Sequence, residues 1–320
     1  MNNRILSLIL LVSLGIVWGS GYVIARYAVT NGVTPLGYTF WQCLGPALIL
    51  SFLSLLQKTK FTFTIKDLIF FIICGLIGIA IPNTTMYFAA AHLPAGMLAL
   101  LVNTVPIMIY PIALFSRQEQ FDAVRFFGVC CAITGVLMLV LPKTNFSNHH
   151  AAIWVFIALL TPFCFAIFAT YVNPKRPSQY SSLTLAAGMM LTATLLLSPL
   201  VFVTHNFYVI RAPFTLPMFI ILIEIVLSSL GYVLFFRLLK IAGPVYYSLV
   251  DGVVAATGIV WGIIIFHEHF NLWQATSFIL IFSAILIMTM RKNMFKNPII
   301  PQSMVGWTER KLKTNLRDGN

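Results

Sequence analysis

Residues 216–239 read LPMFIILIEIVLSSLGYVLFFRLL, an apolar run interrupted by only two charges, Glu224 and Arg237. At about 1.5 Å per helical residue this run is long enough to cross a hydrocarbon layer of roughly 30 Å. Lipid offers a crossing backbone no water, so its N–H and C=O groups must pair within the segment, as a helix. Comparable runs, bounded by charge, Pro, Gly or Asn, cover residues 5–25, 36–57, 68–90, 94–115, 121–141, 151–172, 181–204, 244–266 and 270–290. The expected fold is therefore all-α and integral to the membrane, with ten transmembrane helices.

Composition agrees with that reading. Of 320 residues, 59% are hydrophobic and only 9% charged, where a soluble domain carries roughly a quarter charged. A water-soluble globule is excluded, and too little chain is left for a separate ATPase domain. No GxxxxGK[ST] string occurs, so nucleotide-driven pumping by this chain is excluded too. The net charge of +12 sits mainly between the apolar runs, which fits topology determinants and anionic lipid rather than nucleic acid. Cys43, Cys74, Cys130, Cys131 and Cys164 all fall inside apolar segments, without the spacing of a disulfide frame or metal site. No cofactor motif is present, and no enzyme is expected.

Orientation follows from the connections. If the amino terminus lies in the cytoplasm, all but Arg26, Lys143 and Arg211 of the 20 Lys and Arg residues fall on the cytoplasmic side. Basic residues are retained there, so both termini are expected inside a multi-pass protein. The same topology puts His92, His149, His150, His205, His267 and His269 outside, as ordinary surface groups or as a proton sensor. His267-Glu268-His269 is not a metal motif, because positions i and i+2 do not share a helical face. Glu119 and Glu268 each precede a helix start, where a carboxylate complements the positive end of the dipole.

An internal repeat is visible at an offset of 149, laying residues 87–122 over 236–271. Five spans per half is an odd number, so the two halves must insert with opposite orientation. Two inverted five-helix repeats, residues 1–145 and 146–290, are followed by a basic cytoplasmic tail, residues 291–320. Such architectures place a site near the midplane between the halves. The tail lies along anionic headgroups or serves as a disordered solubilising segment.

The order of several short motifs resembles the drug/metabolite transporter superfamily, specifically its EamA-type ten-span members. They are Trp18-Gly19-Ser20 late in the first span, Pro35 before the second, and Pro106 in the fourth. Glu119 with Gly128 and Gly135, and Glu268 before the tenth span, complete the series. The resemblance implies a carrier of the bacterial inner membrane, often an exporter of amino acids or other small metabolites. Two departures stand out: Phe40-Trp41-Gln42 occupies a place where family members often carry Arg, and Ala255 stands where the offset predicts a partner for Pro106.

An acidic residue at the centre of a membrane helix costs about 2.5–3.5 kcal/mol on insertion scales, so it needs a reason. Glu224 and Asp251 are the acids that fall well inside spans. Asp251 is within reach of Arg237 as a structural ion pair, or serves in transport. Glu224 has no basic residue at its own depth, which makes it the leading candidate to bind a proton or a substrate amine. Glu224, Ser228, Gly231 and Tyr232 recur at helical spacing as one polar stripe. Trp18 with Tyr22, Asn83 with Tyr87, and Asn103 with Tyr110 extend it to other spans, either as cavity walls or as polar contacts between helices.

Gly15-Ile16-Val17-Trp18-Gly19 recurs as Gly258-Ile259-Val260-Trp261-Gly262, two strings that permit close helix approach. Pro82, Pro106, Pro111 and Pro162 mark bends. The expected function is a secondary transporter for small metabolites, amino acids or related amphipathic solutes, with a small-molecule substrate, lipid contacts and a coupled proton. A facilitative uniporter, a channel and an intramembrane enzyme are the alternatives.

Overall fold

The computed structural model describes residues 3–56, 64–115, 121–140, 150–175, 177, 179–247, 250–268 and 272–290. The tail 291–320, Glu119, His149, His269 and the loop cations Lys58, Lys60, Arg117, Lys143 and Arg176 lie outside them. The described residues are helical and include no strand.

In chain order the helices are α1 (Asn3–Thr30), α2 (Pro35–Leu56), α3 (Ile65–Gly75), α4 (Ile81–Ala90), α5 (Ala95–Val102) and α6 (Val105–Phe115). They continue as α7 (Ala123–Val140), α8 (His150–Lys175), α9 (Ser182–Val203), α10 (Leu216–Tyr247), α11 (Val250–Phe266) and α12 (Leu272–Met290). A π-helical turn, Leu76–Ala80, joins α3 to α4 just ahead of Pro82. Such turns interrupt helices frequently at functional sites. Among the described residues, seven segments are long and apolar enough to cross a membrane, including Ile65–Ala90 and Ala95–Phe115, which contain this turn and the α5–α6 break. Phe126–Gly135, Val250–Phe266 and Ala275–Ala284 are shorter apolar helices. The protein is thus a multi-pass membrane protein by its helices.

Local chemistry sets several boundaries. Thr64 and Asp67 form a reciprocal capping box at the start of α3, satisfying two N–H groups that the helix itself leaves unpaired. Ser181 caps α9 by accepting from the Thr184 N–H at 3.1 Å. In α10 the helix runs to Tyr247 instead of ending before Pro244.

Apolar side chains are exposed along the outer faces, with Leu55, Leu195 and Val226 each more than half exposed. In water such a surface is an aggregation liability; in lipid it is the solvated face. Inward, α1 packs on both α10 and α11, α2 on α9 and α10, α4 on α8, α5 on α11, and α7 on α12. Most of these pairs join an early helix to a late one, so the core lies between the two parts of the chain. The two GIVWG strings meet there. A methyl on Gly15 would stand 2.5 Å from Val253 Cβ, and one on Gly19 2.6 Å from Thr257 Cβ. A methyl on Gly258 would reach within 3.7 Å of the Gly19 carbonyl oxygen.

Candidate functional site

The α10 stripe points inward. Glu224, Ile225, Ser228 and Gly231 are buried, while Leu222, Ile223, Val226 and Leu230 face out. Gly231 is needed because the Trp18 indole lies directly on it; a methyl there would stand 2.6 Å from Trp18 Nε1. Trp18 also meets the rings of Tyr232 and Phe235, with centroids 6.1 and 5.7 Å away.

Opposite Glu224 stands α2. Tyr38 and Gln42 are one helical turn apart and so share a face. Gln42 Nε2 donates to Ser228 Oγ at 3.0 Å, and Ser228 Oγ donates to Glu224 Oε1 at 3.1 Å. On α4, Asn83 Nδ2 donates to Gln42 Oε1 at 2.7 Å. The result is a buried relay, Asn83 to Gln42 to Ser228 to Glu224, in which each member passes a donor to the next. Its polarity is fixed by its last member: Ser228 has one proton, spends it on the carboxyl, and must accept from Gln42.

The other oxygen, Glu224 Oε2, has no hydrogen-bond partner, and neither does Tyr38 Oη. The Tyr38 hydroxyl nevertheless faces that carboxyl. Both residues are buried, at 1% exposure for Tyr38 and 5% for Glu224. Tyr87 stacks edge-on against Tyr38, centroids 4.7 Å apart, and the Tyr232 side chain approaches Asn83. Tyr22 lies over Gly258, where a methyl would come within 3.8 Å of its ring. Its hydroxyl faces Asp251 and Tyr232. Trp18, Tyr22, Asn83, Tyr87, Glu224, Ser228 and Tyr232 thus come together around one seam between α1, α2, α4 and α10.

Other expected residues sit elsewhere. Tyr110 accepts from the Asp122 N–H at 2.7 Å and donates to the Asp122 carbonyl at 3.1 Å. Its hydroxyl therefore staples α6 to the start of α7. Asn103 occupies the break between α5 and α6; it is 2% exposed, and both its amide atoms lack partners. The ion pair between Arg237 and Asp251 does not form: Arg237 is exposed, and Asp251 takes the first turn of α11. Arg237 stands at the end of the Leu216–Leu238 span, where its charge keeps the hydration that a buried pair would forfeit.

Glu268 serves the start of α5, in the other half of the chain. Its Oε1 accepts from the Ala95 N–H at 2.8 Å and its Oε2 from the Gly96 N–H at 3.2 Å, capping α5. It also pairs with Arg26, whose guanidinium rests 4.5 Å from the centre of the Phe266 ring.

Three participants escape a reading by span. Tyr38 is one, although its spacing from Gln42 is the signal that places it. Gly21 is another: a methyl there would sit 3.8 and 3.9 Å from the two Glu224 oxygens, so this part of α1 lies against the carboxyl. The third is Asp67, buried at the start of α3, which accepts from Tyr180 Oη at 2.9 Å and Gln179 Nε2 at 3.2 Å. It ties α3 to the α8–α9 connection.

A family model described as the EamA-like transporter family matches the chain twice, over residues 5–141 and 152–290. Protein PagO of Salmonella typhimurium is 25% identical over 195 residues, which make up 58% of this chain and 62% of PagO. The match therefore spans under two thirds of that relative. A solved crystal structure of a protein shares the fold at a TM-score of 0.61 and 12% identity, covering 91% of this chain and 99% of the other.

Proposed function

Since the chain belongs to the EamA-like transporter family, we propose that it is a secondary transporter exporting amino acids or related amphipathic solutes across the bacterial inner membrane by alternating access. Ten crossings, arranged as two inverted halves of five, supply the moving parts. The packing supports this arrangement. Exchanging the halves turns the α1–α10 contact into α8–α4, the α2–α10 contact into α9–α3, and the α1–α11 contact into α8–α6, all of which occur.

Tertiary contacts also support the orientation. Arg26 meets Glu268, and Thr34 Oγ1 donates to the Asn206 carbonyl at 2.7 Å; the Lys and Arg distribution assigns all four residues to the outside. Asp67 and Tyr180 are both assigned to the inside. Both termini then face the cytoplasm.

The observation that carries the mechanism is the half-satisfied Glu224 carboxyl at the seam. One oxygen is held by Ser228, and the free one binds a proton or the amine of the substrate. Competition between the two for one carboxyl couples proton entry to substrate exit. Trp18, Tyr22, Asn83, Tyr87, Ser228 and Tyr232 form the walls. Asp251, near Tyr22, is a second proton acceptor toward the inner end.

Counterflow of labelled amino acids in proteoliposomes, with and without a pH gradient, tests this reading. Glu224→Gln is expected to abolish the gradient dependence and keep downhill exchange. Unchanged coupling removes Glu224 from the mechanism. Single-channel current without counterflow replaces the carrier with a channel.

A further inference from the structure

We infer that this site reads the ammonium end of its substrate and prefers primary amines that lack a carboxylate to the amino acids that carry one. The inference rests on the carrier reading above for its location, and on four observations for its chemistry.

The first is the unpaired chemistry left over. Glu224 Oε2 and Tyr38 Oη are both buried and without a partner, although they face each other. A group between them that donates two hydrogens satisfies both, and a primary ammonium carries three. An unpaired buried polar atom costs about 1–3 kcal/mol, so a ligand that satisfies two of them gains selectively over one that satisfies neither.

The second observation is the polarity of the relay. Asn83, Gln42 and Ser228 each direct a donor along the chain toward Glu224 Oε1. Those hydrogens are committed, and the oxygen left open is an acceptor. The site asks its ligand for N–H groups.

The third is charge. Among the described residues, the titratable side chains facing Glu224 are Tyr38, Tyr87 and Tyr232, and none is basic. Gln42, which reaches the same carboxyl through Ser228, is neutral. A substrate carboxylate seated here would lie beside Glu224 with no counter-charge, which a low-dielectric site penalises.

The fourth is the missing side chain at Gly21 and the ring faces. Gly21 on α1 presents no side chain to the carboxyl, 3.8 Å from where its Cβ would stand, and the Tyr38 and Tyr87 rings stand edge to face beside it. Aromatic faces attract a desolvated cation.

Three probes test the inference on the purified full-length protein by equilibrium calorimetry: phenethylamine, phenylalanine and phenethyltrimethylammonium. Phenethylamine is expected to bind at least tenfold more tightly than phenylalanine. Tyr38→Phe is expected to weaken phenethylamine about tenfold relative to the trimethylammonium probe, which has no N–H to give. Phenylalanine binding as well as phenethylamine, no saturable phenethylamine binding, or equal losses for both cations in Tyr38→Phe each overturn the inference. Counterflow by the same preparation keeps the two readings apart. Amino-acid exchange without amine binding overturns this inference and leaves the carrier, whereas amine binding without exchange of any solute overturns the carrier reading alone.

Discussion

Arg26 and Glu268, 242 residues apart in the chain, form an ion pair between the last part of α1 and the turn ahead of α12. The same carboxylate accepts the Ala95 and Gly96 N–H groups at the start of α5. One side chain therefore joins three elements drawn from both halves, by charge and by capping together. Carboxylates suit that place because the first N–H groups of a helix carry partial positive charge and lack intrahelical partners.

Removing Glu268 should therefore hurt more than removing Arg26. Glu268→Ala leaves two N–H groups and a guanidinium without a partner, for a loss of about 2–3 kcal/mol. Arg26→Ala leaves the cap intact and costs about 1 kcal/mol, since the pair is only partly buried. Denaturant unfolding of both variants in one detergent checks the order. A larger loss for Arg26→Ala would show that capping contributes little.

The α1–α11 crossing depends on glycine at defined points. A methyl on Gly19 would stand 2.6 Å from Thr257 Cβ and 2.7 Å from the Val254 carbonyl oxygen, whereas one on Gly252 meets only Phe282 at 3.6 Å. Overpacking of the first kind costs about 1–3 kcal/mol. Gly19→Ala should lower the apparent melting temperature, and Gly252→Ala should leave it within error or raise it through helix propensity. Equal effects would mean that the helices separate freely.

Ser228 is the link that only this relay requires. Ser228→Ala frees Gln42 Nε2 and Glu224 Oε1 at once, and each unpaired buried group costs about 1–3 kcal/mol. The expected readout is a tenfold or greater rise in the half-saturating substrate concentration in counterflow. Ser229 bonds only its own helix, through the Ile225 carbonyl at 2.7 Å, so Ser229→Ala serves as the control. Wild-type affinity in Ser228→Ala would dissolve the relay as a functional unit.

Orientation is open to labelling. In a variant with the five cysteines replaced, Asn31→Cys and Gln179→Cys place single thiols at exposed turns. A membrane-impermeant maleimide applied to intact cells should modify position 31, and position 179 only after the cells are opened. Labelling of both from outside would reverse or break the proposed topology.

Much of the scaffold was legible in the residues. The apolar runs at 36–57, 181–204 and 270–290 fall on α2, α9 and α12 to within two residues, because the energy of crossing lipid sums along a local segment. The fourth run was read whole, yet it breaks at Asn103 and Thr104; hydropathy counts apolar length and is insensitive to two residues of turn. At the site, Glu224 stands out in the sequence as an acid well inside a span, and helical spacing adds Ser228 to it. Tyr38 was missed because a tyrosine in an apolar run carries no sign of whether its hydroxyl meets solvent, backbone or a carboxyl.

Tyr110 and Arg237 show the limit from the other side. Arg237 had a plausible partner by depth in Asp251 but is exposed, and Tyr110, grouped with Asn103 by spacing, holds Asp122. Depth along a span comes from counting residues at a fixed rise, so membrane class, span positions and the asymmetry of basic loops could be read before any coordinates. Partnership depends on the rotation of each helix about its axis and on which helices touch. Gln42 bridges Asn83, 41 residues away, and Ser228, 186 away; that bond exists because close packing turns three helices toward one another, and no local pattern encodes the turn.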